Sequence, residues 1–184
     1  DELYEALQQE LTYIDNILLS ILKERIETIQ PTLFLISVPF PGNLYSAFRS
    51  AQWVKKHYPN IKISMGGGFP NTELRSLSDT RVFEFFDFIT LDEGETPIEE
   101  LSSPDPSEGG EPRRYKRTFL LEDGKVVYKN NSLKHDYKQS QVGTPDYSDL
   151  FLDKYISVIE IVNPMHRMWS DGRWNKLTMA HGCY

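Results

Sequence analysis

The chain has 184 residues, of which 39% are hydrophobic and 12% aromatic, enough for one domain or one and a half around a real core. Its net charge of −7 argues against the clustered cationic footprint of a nucleic-acid binder, and no apolar run approaches the roughly 18 residues of a membrane-spanning helix. The single cysteine rules out an internal disulfide framework, so a reducing cytoplasm is the expected compartment.

No secretory signal opens the chain, which starts at Asp1 rather than Met. We read it as an excised piece of a longer protein. Residues 2–27 predict one amphipathic helix, with Leu3, Leu7, Leu11, Ile14, Leu18 and Ile21 recurring at steps of three and four on a shared face. "PTLFLISV" at residues 31–38 is a short, continuous apolar run, suited to a strand buried on both faces of a parallel sheet. "PFPGN" breaks it, and a second helical pattern runs over residues 44–58. "IKISMGGG" at residues 61–68 predicts a second strand entering three glycines, followed by a short helix over residues 72–77. "FDFITL" at residues 86–91 predicts a third strand. A turn follows, and then a helix with Thr96 as N-cap and Pro97 in its first position.

This alternation of helix and strand predicts a doubly wound α/β domain, Rossmann-like (flavodoxin-like) with three layers and a parallel sheet. The pattern begins with a helix, so an earlier strand is expected upstream of Asp1. "SSPDPSEGGEP" at residues 102–112 has linker composition, and "RTFLLEDGKVVYK" is a hairpin signal around Asp123-Gly124. The expected organisation is residues 1–101 as the α/β domain, residues 102–142 as a linker with a β-hairpin, and residues 143–184 as a connector and a further strand. The basic cluster "RRYKR" at residues 113–117 reads as a solvated loop or strand edge.

Ligands of open α/β sheets bind beyond the carboxyl ends of the strands, here residues 37–42, 65–70 and 91–96. Glycines there let a backbone approach a ligand closely, or simply make tight strand-to-helix turns. "MGGGFPN" fits neither a dinucleotide fingerprint nor a P-loop. Asp92, Glu93 and Glu95 read first as solvated residues flanking a helix start. His57, His135, His166 and His181 are scattered. His181 and Cys183 form a His-x-Cys pair, two groups where a metal site needs three or four.

The order "LFLISV", helix, "IKISMGGGFPN", "FDFITLDEGETPIEEL" resembles the cobalamin-binding domain of the B12-dependent branch of the radical SAM superfamily. "TPDYSDLFLDKY" resembles that family's connector, and "KLTMAHGCY" resembles its first barrel strand leading into the iron–sulfur cysteine motif. The resemblance spans residues 30–101 and 143–184. It implies that Ser37, Val38, Gly66, Gly67, Gly68, Glu93, Gly94 and Glu95 line the cobalamin side. It also implies that Cys183 is the first of three thiolate ligands of a [4Fe–4S] cluster binding S-adenosylmethionine. The parent would cleave S-adenosylmethionine for radical chemistry, with methyl transfer among its outcomes. The chain itself would be inactive, with no catalytic residue and no tightly bound cofactor, because one thiolate cannot hold the cluster. Its expected partners are the barrel of its own chain and, through an exposed sheet edge, further copies of itself, with no nucleic acid or membrane. The family's Asp-x-His-x-x-Gly motif is absent, since no histidine follows an aspartate by two residues. That motif follows the first family strand, expected before Asp1. The alternative from the residues alone is a non-catalytic flavodoxin-like domain that binds a ligand or partner.

Overall fold

The computed structural model describes residues 2–103, 112–138, 140–144, 146 and 148. Backbone contacts divide the chain into two units, Asp1–Asp136 and Tyr137–Tyr184. In the first unit, helices α1 (Glu2–Gln8) and α2 (Tyr13–Ile29) precede strand β1 (Leu33–Ser37) and helix α3 (Leu44–His57). Strand β2 (Lys62–Gly66), helix α4 (Gly68–Glu73), strand β3 (Phe88–Thr90) and helix α5 (Glu95–Ser102) follow, then the hairpin β4 (Thr118–Glu122) and β5 (Lys125–Lys129). In the second unit, the described residues include a turn in which the Gln141 N–H donates to the Lys138 carbonyl at 2.7 Å.

The first unit is a mixed α/β domain whose five strands lie in the order β1-β2-β3-β4-β5. β1, β2 and β3 are parallel, with Ser37 beside Gly66 and Met65 beside Ile89. β4 then pairs antiparallel to β3, and β5 to β4. The sheet is therefore only partly parallel, and the hairpin expected within a linker continues it. Its turn is the expected one: Asp123 and Gly124 take φ of 49° and 72°, the paired positive values of a tight hairpin turn.

Alternation along the strands sorts the side chains onto two faces. Ile63, Met65, Ile89 and Phe119 point into the main core, which the helices cover with Leu7, Ile26, Ala47, Ala51 and Val54. Phe88 and Leu120 point the other way and pack with Leu101 of α5 in a smaller cluster. Asp87 ties the amino end of β2 to β3, accepting from the Ile63 N–H at 2.9 Å and pairing with Lys55 and Lys62 at 3.6 and 3.4 Å.

The single helix expected over residues 2–27 is two. Thr12 starts α2 with a capping box: its hydroxyl accepts from the Asp15 N–H at 3.1 Å, and the Asp15 carboxylate accepts from the Thr12 N–H at 2.9 Å. This turns Asp15 inward, where it is only 2% exposed. The buried face of α2 is consequently Asp15, Leu19 and Ile26, while Leu11, Ile14 and Ile21, expected on the core face, are exposed.

Asp15 is held by a second buried charge. Arg49 on α3 lies 3.8 Å from its carboxylate, and the Tyr45 hydroxyl donates to Asp15 at 3.0 Å. The same guanidinium donates to the Leu7 and Ala6 carbonyls at 2.9 and 3.1 Å, satisfying the open end of α1. One ion pair thus joins α1, α2 and α3. Burial pushes the Asp15 pKa up, but Thr12, the Tyr45 hydroxyl and Arg49 together outweigh it and hold the group below the ordinary carboxylate value. A folded-state value below the unfolded one stabilises above the unfolded value, and that contribution is lost as pH falls through the folded one.

Two outcomes follow in thermal or urea unfolding. Asp15→Ala leaves Arg49 buried without its partner and lowers stability by about 3 kcal/mol or more, against about 1 kcal/mol for Thr12→Ala. Between about pH 5 and pH 2, the wild type loses more stability than Asp15→Asn does, because only the former protonates this carboxylate.

Candidate functional site

The parallel strands end side by side, and their carboxyl ends enclose a cleft of about 240 Å³. Leu35, Ile36 and Ser37 of β1, Ser64 and Gly66 of β2, and Thr90 of β3 line it, with Gly67, Asp92, Gly94 and Ile98 from the segments that follow. Of the residues expected here, Ser37, Gly66, Gly67 and Gly94 face the cleft. Val38 is fully buried beside it, with its N–H on the Gly66 carbonyl at 2.8 Å and its carbonyl accepting from Phe69 at 2.9 Å. Gly68 lies against Pro39. Glu93 and Glu95 are exposed outside the lining, and the Glu93 carbonyl accepts from Arg117 at 3.1 Å. Cys183, the connector from Asp149 onward and the expected barrel strand lie outside the described residues.

The glycine run answers to steric limits that come from the strands themselves. A Cβ on Gly67 would lie 2.8 Å from the Val38 nitrogen and 2.9 Å from the Ser37 hydroxyl, and its φ of 102° suits glycine. A Cβ on Gly68 would lie 2.8 Å from the Pro39 carbonyl oxygen. At Gly66 the obstacle is a side chain, the Thr90 hydroxyl at 2.9 Å. Helix α4 starts directly from Gly67, which is why the short helix begins at Gly68 rather than at Thr72.

The third wall is the turn from β3 to α5. Helix α5 begins two residues earlier than expected, at Glu95 with Gly94 as its cap. Thr96 is not a cap: it is buried, and its hydroxyl donates to the His135 carbonyl at 3.3 Å. Asp92 sits in the left-handed region at φ 59° and is held by the Asn71 side chain and by Arg75, both reached through α4. Arg117, at the entrance to β4, donates to the Leu91 carbonyl at 3.3 Å and meets Asp136 at 2.8 Å. Asn71, Arg75, Thr90, Arg117 and Asp136 were not singled out in the sequence as site residues. They come from four separate segments and carry no shared motif. The basic cluster that contains Arg117 gave the only signal, and it reads as solvated.

Chemically the cleft is largely neutral: hydroxyls of Ser37, Ser64 and Thr90, glycine backbone, and apolar flanks from Leu35 and Ile98. The Asp92 charge is offset by Arg75 and by Arg117, 3.7 Å away. Such a lining suits a flat, largely apolar group with a hydrogen-bonding edge. His57 lies elsewhere, stacked on Trp53 and bonded to that residue's carbonyl at 2.8 Å. Among the described residues, no group of three or more His, Cys, Asp or Glu side chains is placed to hold a metal ion, and no helix is long and apolar enough to cross a membrane.

The glycines are separable by mutation. Gly67→Ala meets backbone in a strained conformation and lowers stability by about 2–4 kcal/mol. Gly66→Ala meets only the Thr90 hydroxyl, so the Gly66→Ala/Thr90→Ala pair costs less than the sum of the singles, by about 0.5 kcal/mol or more in a double-mutant cycle.

No protein-family model matches the chain, and comparisons with curated proteins and with solved structures give no match either.

Proposed function

We propose that this chain is the N-terminal part of a radical SAM iron–sulfur enzyme, and that its α/β domain is of the Rossmann-like, cobalamin-binding type. One observation carries the reading. Ser37, Gly66, Gly67 and Gly94, distant in sequence and singled out by the family resemblance, line a single cleft at the carboxyl ends of three parallel strands. That is where an open α/β sheet takes a ligand.

The residues fit a cobalamin in their chemistry. The lining is small and neutral, with hydroxyls and glycine backbone at the floor and apolar flanks. At about 240 Å³ the cleft is far smaller than a whole corrinoid, so only a flat projecting part would enter it. Ser37, Ser64 and Thr90 would offer it hydrogen bonds, while Leu35 and Ile98 exclude water from its faces. When bound, cobalamin would supply the cobalt chemistry of a methyl transfer. The domain's own residues bind and orient. Cys183 would serve as the first cluster thiolate, in a part of the protein that requires two further cysteines and S-adenosylmethionine.

The reading is tested on the native chain extended past Tyr184 along its own gene. Anaerobic reconstitution with iron and sulfide yields a [4Fe–4S] signal in the visible and EPR spectra, lost in Cys183→Ala. Absence of a cluster returns the chain to a non-catalytic flavodoxin-like binding domain. Titration with hydroxocobalamin gives saturable spectral changes in the same protein, and Ile98→Trp, which fills the cleft from an exposed position, weakens binding by about tenfold or more.

A further inference from the structure

We infer that Arg117 is the positioning residue of the cleft's β3–α5 wall, and that Asp136 latches it there. A single guanidinium grips the turn at two backbone points, the Leu91 carbonyl at 3.3 Å and the Glu93 carbonyl at 3.1 Å. The backbone doubles the grip, since the Leu91 N–H donates to the Arg117 carbonyl at 3.0 Å. Between the two carbonyls lies Asp92, a lining residue of the cleft. Asp92 and Arg117 both take left-handed backbone conformations, at φ 59° and 44°. Neither is glycine, and non-glycine residues stay in that region only where their surroundings over-determine them.

The latch is the other side of the same fork. Asp136 receives Arg117 through both carboxylate oxygens, at 2.8 Å each, the two-point geometry that makes such pairs strong. Its carboxyl is held below the ordinary range chiefly by that bond. Asp136 ends a strap that leaves β5 and crosses the start of β4 and the α5 helix. Within the strap, Asn131 and Ser132 donate to the Tyr115 carbonyl at 2.9 and 3.0 Å, Lys134 receives Lys116 at 2.8 Å, and His135 receives Thr96 at 3.3 Å. The first unit ends at Asp136. Arg117 also has a second carboxylate within reach, Asp92 at 3.7 Å. Released from Asp136, the fork keeps only Asp92, itself paired with Arg75, as a carboxylate partner, and its grip on the two carbonyls weakens. This inference is independent of what the cleft binds.

Hydrogen exchange on the full chain tests it. In Asp136→Asn and in Arg117→Lys, which keeps a charge but loses the fork, the amides of residues 92–95 exchange about tenfold faster or more. Those of residues 63–65 in β2 stay within about twofold of wild type, and Asp136→Glu restores most of the protection. Unchanged exchange at residues 92–95 in both variants overturns the inference. So does an equal acceleration in β2, which would make the pair an ordinary contributor to global stability.

Discussion

At Gly66, Gly67 and Gly68 the carboxyl end of β2 runs so close to the end of β1, and to Thr90 of β3, that a Cβ at each of three successive positions would lie 2.8–2.9 Å from a neighbouring atom. Most of what surrounds the cleft depends on this contact. It brings Ser37, Gly66 and Thr90 to one level, and Val38 is bonded into the run from both its N–H and its carbonyl. It also launches α4 from Gly67, and α4 is what delivers Asn71 and Arg75 to Asp92 on the third strand's turn. The missing Cβ atoms would all meet protein atoms. The glycines therefore close the floor of the cleft, and the space above that floor is left by the small residues Ser37, Ser64 and Thr90.

Two buried or half-buried arginines organise the rest, and they do so in the same manner. Arg49 binds the two carbonyls that end α1 and pairs with Asp15, so three helices share one buried charged junction. Arg117 binds the two carbonyls of the β3–α5 turn and pairs with Asp136, so a turn, a hairpin and a strap share another. In each case the fork satisfies backbone acceptors that apolar side chains could not, and the carboxylate keeps the fork from turning away. Buried pairs of this kind add geometric definition more dependably than they add stability. The definition here falls on the helical layer over one face of the sheet and on the wall of the cleft.

These arrangements bear on the proposed function through what the cleft must do. A domain that only binds and orients a large cofactor needs a firm floor, small neutral contacts and a wall whose position can be held. The glycine run meets the first need, the three hydroxyls the second, and Arg117 the third.

Short-range patterns were legible in the sequence. Strands β1 and β2, helix α3 and the Asp123-Gly124 hairpin all follow from runs, periodicity and turn chemistry acting over a few residues. So does the cleft's address at the strand ends, residues 37–42, 65–70 and 91–96, within which the resemblance singles out Ser37, Gly66, Gly67 and Gly94. Contacts between distant segments were not legible. The apolar spacing of residues 2–27 is that of one helix; the Thr12–Asp15 capping box makes it two, and the pairing of Asp15 with Arg49, 34 residues on, accompanies a different buried face. Thr96 reads as a helix cap until a carbonyl 39 residues away takes its hydroxyl. Arg117 reads as one charge in a solvated basic cluster, because nothing local announces that β4 will pair with β3 and place it on a turn 26 residues back. The sequence by itself determined which segments form strands, helices and tight turns, though not where every helix begins, since backbone propensity and side-chain alternation are local. Tertiary structure alone decided which polar groups are buried and which face of α2 is core. It also decided what holds the cleft, because a polar group's fate depends on whether a partner far along the chain arrives to satisfy it.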